Sequence, residues 1–416
     1  MRFAWRLACL GMVAVVGSGM AAAASGDLDS SFGTAGMARI DFGATRDAQD
    51  LSLGPKGEIF VVGTLVEGAY LVPGGFILKL SAQGARDTSF GAGGVARLGG
   101  GAKAKASKFR RVHPRSEGGA VVTGWVQLQD SSEDYLAAAF LADGTPDVSF
   151  GKGGWSPGDV AGGVETAFSA TTTPRGQFVV SGVSGGNTYL SLYGFTARGA
   201  RDDGFGSGGR VLTELDESTP QSIDLALDAK GRLLTLGSFQ RSCAQSTNVW
   251  HFVVRHLPSG MRDTKFGVQG RFELCLGTPT NFTALATAGN RTYLAGSSGD
   301  DLLIARIGSD GRLDKSFAVQ GIARWSLTTP WASDLLVDPQ GRIVVAGSLG
   351  AEAFVARLGK NGMPDTTFGN QGLVRVDAGS GQEFIEAIRR QSDGRLVALG
   401  AETTAPNSVY LVRLQP

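Results

Sequence analysis

The stretch Gly362–Gly372, GMPDTTFGNQG, decides the fold, because its pattern is written seven times along the chain. The pattern is Gly-x-x-Asp-x-x-Phe-Gly-x-x-Gly, with earlier copies beginning at Gly26, Gly84, Gly144, Gly199, Gly260 and Gly311. Its aspartates are Asp29, Asp87, Asp147, Asp202, Asp263, Asp314 and Asp365. Its aromatic anchors are Phe32, Phe90, Phe150, Phe205, Phe266, Phe317 and Phe368, 51 to 61 residues apart. Only Ala318 breaks the glycine after the phenylalanine. A fixed period of this kind marks a repeat architecture, in which neighbouring units bury each other's apolar faces.

Between motifs each unit carries three short apolar runs, here a, b and c. The second is bracketed by glycines, as in GEIFVVG, GGAVVTG, GQFVVSG, GRLLTLG, GRIVVAG and GRLVALG. The fifth unit has NRTYLAG, and Asn290 in place of glycine predicts a left-handed backbone at that turn. Runs of four to eight residues rich in Val, Leu and Phe, separated by Gly/Asp turns, read as strands. A fourth run, d, follows each motif. The first motif stands before any a, b or c, and the chain stops just after a strand c, Val409–Leu414. The last unit therefore lacks its own d. The predicted fold is an all-β, seven-bladed propeller with four antiparallel strands per blade, in which the N-terminal strand completes the last blade and leaves no open edge.

The motif and the pattern of DLSL, DGRLVALG and FVAR-type runs resemble the delta-60 repeat β-propeller family. The resemblance spans residues 25–416, and it implies a propeller found in bacterial secreted or surface proteins, with no activity attached.

Composition agrees with many strands and tight turns. Glycine accounts for 63 of 416 residues, about twice the usual share. Residues 1–24 read as a secretory signal: Arg2 and Arg6, an apolar core from Leu7 to Val16, and small residues from Ala21 to Ala24. Cys9 lacks the upstream residues of a lipidation site. Without Arg2 and Arg6, 37 basic residues face 38 acidic ones, which gives no electrostatic case for nucleic acid or an anionic membrane. The apolar core is too short to span a bilayer, and no later segment is long enough. The expected location is the periplasm or the cell exterior. There Cys243 and Cys275, placed at one end of one blade, are expected to pair as a disulfide.

Several residues invite a chemical reading. The motif aspartates offer about one carboxylate per loop, too few for calcium, and read as corner braces bonding backbone N–H groups two or three residues on. The motif phenylalanines read as plugs between blades. Gly182–Gly186, GVSGG, matches a hydrolase elbow, but strands flank it on both sides where that elbow needs a helix. His113, His251 and His256 form no zinc spacing, so no metal or cofactor is expected. The starts of the a runs carry Asp50, Lys108, Asp224, Thr283, Asp334 and Glu386, which predict a mostly acidic ring near one mouth of the central channel.

Alternating strands send the motifs and the short Gly turns to one face. The other face receives the irregular connections, with Trp125, Trp325 and Trp331 on or beside them. Loops presented by a rigid scaffold are where binding concentrates. The expectation is therefore a monomeric binding scaffold for a protein or glycan, not an enzyme. The alternatives are a hydrolase or lyase with a site at the channel mouth, or a structural envelope component.

Overall fold

The computed structural model describes residues 23–416 except 42–44, 68–71, 99–103, 130–132, 160–164, 187, 216–219, 244–245, 380 and 404–407. The expected signal segment thus lies outside the described residues, save Ala23 and Ala24. So do parts of the irregular loops after residues 98, 129, 215 and 243.

Among the described residues, 28 strands form seven sheets of four, and there is no helix. The innermost strands, one per blade, are β2 (Thr45–Leu53), β6 (Ala104–Pro114), β10 (Thr166–Thr172), β14 (Gln221–Leu227), β18 (Asn281–Ala288), β22 (Pro330–Val337) and β26 (Glu383–Arg390). Each packs beside the next, and β26 returns to β2. The circle is closed. The predicted propeller is the observed one.

Closure runs through the N-terminal segment, as expected. Strand β1 (Met37–Ile40) pairs antiparallel with β28 (Val409–Leu414), Met37 opposite Val412 and Ile40 opposite Val409. The sheet order is β1, β28, β27 (Leu396–Glu402), β26, so the last blade takes its outer strand from the start of the chain. Gly26 N–H also donates to Gln415 O at 3.1 Å.

The motif explains why blades fit edge to edge. In each copy an aspartate oxygen accepts the N–H two residues on, for example Ser316 to Asp314 at 3.1 Å and Thr367 to Asp365 at 3.1 Å. The phenylalanine is buried, between 0% and 4% exposed in all seven copies. Phe317 lies against Gly362 of the next motif, where a Cβ would come within 2.8 Å of the ring. The glycine after phenylalanine then donates its N–H to the residue just before the following motif, as Gly267 does to Asp310 O at 2.8 Å. The last such bond, Gly369 N–H to Ser25 O at 2.9 Å, joins the seventh motif to the first.

The repeat also contains a partner that sequence reasoning passed over. The penultimate residue of run c is basic in five units, and it ion-pairs with the motif aspartate: Lys79 with Asp87, Arg255 with Asp263, Arg306 with Asp314, Arg357 with Asp365, Arg413 with Asp29. The four guanidinium groups also stack over the motif rings, 4.3 to 4.9 Å from their centroids. Arg115 and Gln177 supply the donor to Asp147 and Asp202.

The two exceptional turns behave differently from one another. Asn290 is not left-handed; Gly289, one residue earlier, is, at φ +58°. Ala288 pairs with Arg291, so the fifth blade has a two-residue hairpin, and such a turn takes glycine at its first central position. Ala318, by contrast, does hold a left-handed backbone, at φ +43°, where its six counterparts are glycines at φ +51° to +59°. Replacing Ala318→Gly should therefore raise stability by about 0.5 to 1 kcal/mol in chemical denaturation. Gly267→Ala should lower it, because a Cβ there would sit 2.1 Å from the Arg271 carbonyl oxygen. Equal stability of both variants and wild type would contradict this reading of the motif.

Candidate functional site

The channel is shaped by one irregularity repeated seven times. In every inner strand the ladder slips by one residue at the same level, and the extra residue is Gln49, Arg110, Phe168, Ile223, Thr283, Ser333 or Glu386. Opposite the slip stands a glycine of the second strand: Gly63, Gly124, Gly182, Gly237, Gly296, Gly347 or Gly400. These are the closing glycines of the b runs. They do not end the strands but lie within them. A Cβ on Gly347 would lie 1.9 Å from the Trp331 carbonyl oxygen, so the bulge needs the bare backbone.

A bulge turns two consecutive side chains to one side of the strand. Along β22, Ala332 is buried, Ser333 and Asp334 are both half-buried toward the lumen, and Leu335 is buried again. The residues one step past the bulge are Asp50, Arg111, Ser169, Asp224, Ala284, Asp334 and Ala387. The three carboxylates among them reach across to the neighbouring blade. Asp50 accepts the N–H of Val112 at 3.1 Å, Asp224 that of Leu285 at 3.0 Å, and Asp334 that of Ile388 at 2.8 Å. Each carboxylate therefore staples one blade to the next.

Two guanidinium groups complete the arrangement. Arg389 donates to Asp50 at 2.6 Å and also to Asp334, bridging the first and sixth blades from the seventh. Arg111 reaches Asp224 at 3.3 Å, and Ser169 donates to the same carboxylate at 2.8 Å. Burial pushes the Asp50 carboxyl upward, and Arg389 and Arg111 beside it oppose that shift. These groups line a lumen cavity of about 680 Å³, together with Glu386, His113 and several hydroxyl side chains.

The expected acidic ring is thus corrected. Asp50, Asp224 and Asp334 do come together at one level. Thr283 and Glu386 belong to the bulge level, and Lys108 lies two residues before its bulge at Arg110. Arginine balances the carboxylates, so the ring is not mostly acidic. A single strand offers no sign of the bulge; the seven glycines opposite it were the available signal.

Glu386 differs from the three aspartates. Burial, with the Asp47 charge adding to it, pushes its carboxyl up to about 7, against the pull of Arg111 and Arg110. Arg110 is held to the first blade by a hydrogen bond to Gln49, whose amide donates to Asp47 at 2.6 Å.

The remaining candidates occupy separate places. Trp125 is half-buried, lies under the Lys108 ammonium at 5.9 Å, and packs on the cluster around Tyr135 and Phe150. Trp325 is partly buried against the core of the fifth and sixth blades. Trp331 is 48% exposed at the start of β22. All three histidines lie in protein surroundings, and burial holds His113 down at about 3 and His251 and His256 at about 4. His251 Nε2 accepts the N–H of Phe282 at 3.0 Å. Ser184 of GVSGG is buried within strand Phe178–Ser184. The side chain of Cys243 lies outside the described residues. The fold also brings together a group with no sequence signature: Asp134, Asp159 and Glu165, whose carboxylate oxygens lie within 4.8 Å of one another. Three carboxylates are few for calcium, which takes six to eight oxygens.

The resemblance to known proteins lies in the propeller itself. A family model described as a domain of unknown function, DUF5122, β-propeller, matches residues 339–368. No curated protein matches the chain in sequence. Among solved structures, a catalytically inactive virginiamycin B lyase from Staphylococcus aureus is similar, with a TM-score of 0.51 and 11% identity. The match covers 90% of this chain and 98% of that one. Drosophila Semaphorin 2a matches with a TM-score of 0.52 and 8% identity, covering 91% of this chain and 75% of that one. YCF48 from Cyanidioschyzon merolae has a TM-score of 0.50 and 12% identity, covering 92% and 99%. At such identities the likeness concerns the fold alone.

The Glu386 geometry has a consequence for pH. A carboxyl whose folded value is raised favours folding while protonated, so its contribution is present below its ordinary value of 4.5 and lost as pH rises toward about 7. Wild-type stability should fall over that window relative to Glu386→Gln, measured by denaturation at each pH. Parallel pH profiles for the two proteins would show that Glu386 titrates as an ordinary surface group.

Proposed function

We propose that the chain is an exported binding propeller of the delta-60 type, which presents its irregular face to a protein or glycan in the periplasm or outside the cell. What carries this reading is how the lumen carboxylates are used. Asp50, Asp224 and Asp334 each accept a backbone N–H of the adjacent blade and pair with arginine, so their charge holds the ring together. His251 and His256 are buried, His113 is half-buried at the lumen, and desolvation holds all three well below the ordinary histidine range. Acid–base catalysis needs a free, positioned group with a partner beside it. Glu386 is the lumen carboxyl that most favours a hydrolase or lyase, but its carboxylate neighbour Asp47 is already bonded to Gln49.

The two faces differ in the way a binding module requires. Six of the seven a–b turns have the same length, 54–58 through 391–395, whereas the opposite connections vary from blade to blade. In the fourth blade the two middle strands, β15 (Leu233–Cys243) and β16 (Ser246–His256), extend to 11 residues each. Arg241 stacks over Trp250 there at 4.1 Å, and Trp250 over Phe239. A disulfide between Cys243 and Cys275 would tie down the tip of this extension, where Cys243 pairs with Ser246; two thiols alkylated without reduction would exclude it.

The experiment uses the mature chain as bait against its own envelope fraction. Retention of a ligand should be lost in Trp331→Ala with Gln221→Arg, on the irregular face. It should survive Met261→Ser with Met363→Ser, on the motif face. The opposite pattern would overturn the reading, as would turnover of a retained compound.

A further inference from the structure

We propose that the motif face of the fourth, fifth and sixth blades docks on the surface of an anionic lipid bilayer, with Lys265, Arg312, Lys315 and Lys360 meeting headgroup phosphates and Met261, Val268, Val319 and Met363 entering among the lipids. This goes beyond the binding reading above, since it concerns the opposite face and needs no ligand there.

The whole chain is close to neutral, but its charge is unevenly placed. Segments 255–270, 306–321 and 357–372, which run from the basic residue of run c through the motif, hold eight basic and four acidic residues. The same segments of the first three blades, 79–94, 139–154 and 194–209, hold five of each. On the basic arc the acids are already engaged. Asp263, Asp314 and Asp365 pair with the buried Arg255, Arg306 and Arg357. Asp310 accepts the backbone N–H of Arg312 at 3.2 Å. Lys265, Arg312, Lys315 and Lys360 are exposed and make no ion pair among the described residues.

Apolar side chains share this arc. Of the five most exposed large apolar residues among those described, four belong to these motifs: Met261, Val268, Val319 and Met363, at 61% to 80%. They cannot fold away. Val268 exchanges two backbone hydrogen bonds with Arg271, at 2.8 and 3.0 Å, and Val319 two with Ile322, at 3.3 and 3.1 Å. Each valine is thereby pinned at the tip of a tight turn. Val268 and Val319 hold the same position of the repeat, as do Met261 and Met363. Rotation about the ring axis relates such positions, so each pair stands at one height. Tips at one height fit a planar partner.

A bilayer uses both features. Its anionic headgroups attract the cations and its acyl boundary takes the apolar tips, where either signal alone gives weak attachment. A nucleic acid would engage the cations but leave the apolar tips against its phosphates. A second copy, motif face to motif face, would set two cationic arcs against each other. The connections of the irregular face carry eight acidic residues and one basic. That charge turns the irregular face away from an anionic membrane.

The test is co-sedimentation of the mature chain with vesicles of equal parts phosphatidylglycerol and phosphatidylcholine, against phosphatidylcholine alone. Binding is expected to the anionic vesicles only, and to be lost as salt rises from about 0.05 M to about 0.5 M. Lys315→Gln with Lys360→Gln should weaken it about tenfold or more, and Val268→Ser with Val319→Ser about tenfold, with unfolding midpoints showing that each variant is folded. Val148→Ser on the second blade and Trp331→Ala on the irregular face should leave it unchanged. No binding to anionic vesicles, equal binding to neutral ones, or indifference to both double variants would overturn the proposal. So would a soluble polyanion held through the lysines but not the valines, or dimers in sedimentation velocity that the valine variant dissolves. Lipid vesicles carry no protein or glycan, so either result leaves the reading of the irregular face to its own experiment.

Discussion

A ring of identical wedges has one constraint that no single wedge can satisfy: the last must meet the first. Here that junction is made by three independent sets of bonds. Strand β1 supplies the outer edge of the seventh blade, Gly369 reaches back to Ser25, and Arg389 ties the seventh blade to Asp50 of the first. The outer, middle and inner radii are each closed. A ring joined this way buries every inner strand against two neighbours, and the lumen keeps a fixed geometry. The lumen depends on that rigidity, because a cavity lined by seven strands exists only while the circle holds.

Rigidity also explains the chemistry of the lumen. Inner strands expose one row of backbone groups to the channel, and unpaired N–H groups in a narrow lumen are costly. Three carboxylates take up those donors, and two arginines neutralise the carboxylates. These residues serve structure before function. Burying such charges is tolerable only when partners are in place, so loss of Arg389 would leave Asp50 charged and buried. The lumen composition is therefore constrained by closure at the stapling level. It is released from that constraint one residue nearer the mouth, at the bulge, where Glu386 lines the lumen.

Much of the fold was legible because the repeat supplies its own control. Seven copies of an eleven-residue pattern give the blade number, and the order of runs gives the borrowed strand. The motif aspartate was legible as a brace because Asp–x–Ser is a local bond, closed within three residues. What escaped depends on distance. The arginines over four of the motif phenylalanines come from a different strand, although their recurrence before the end of run c was visible. The bulge escaped because it is a slip between two strands, so residues such as Thr283 and Asp334 were aligned as equals. Once the glycine opposite is used as the anchor, Asp50, Arg111, Asp224 and Asp334 align without adjustment. The convergence of Asp134, Asp159 and Glu165 had no local signal at all.

The central claim is that the amino-terminal strand is an integral part of the ring. Native-state hydrogen exchange tests it directly, by comparing amides of β1 with those of β27 in the same blade. The account predicts that hydrogen-bonded β1 amides exchange only through opening of the whole ring, with protection equal to that of β27. Protection orders of magnitude lower in β1 than in β27 would show a strand that docks and leaves, and would contradict closure.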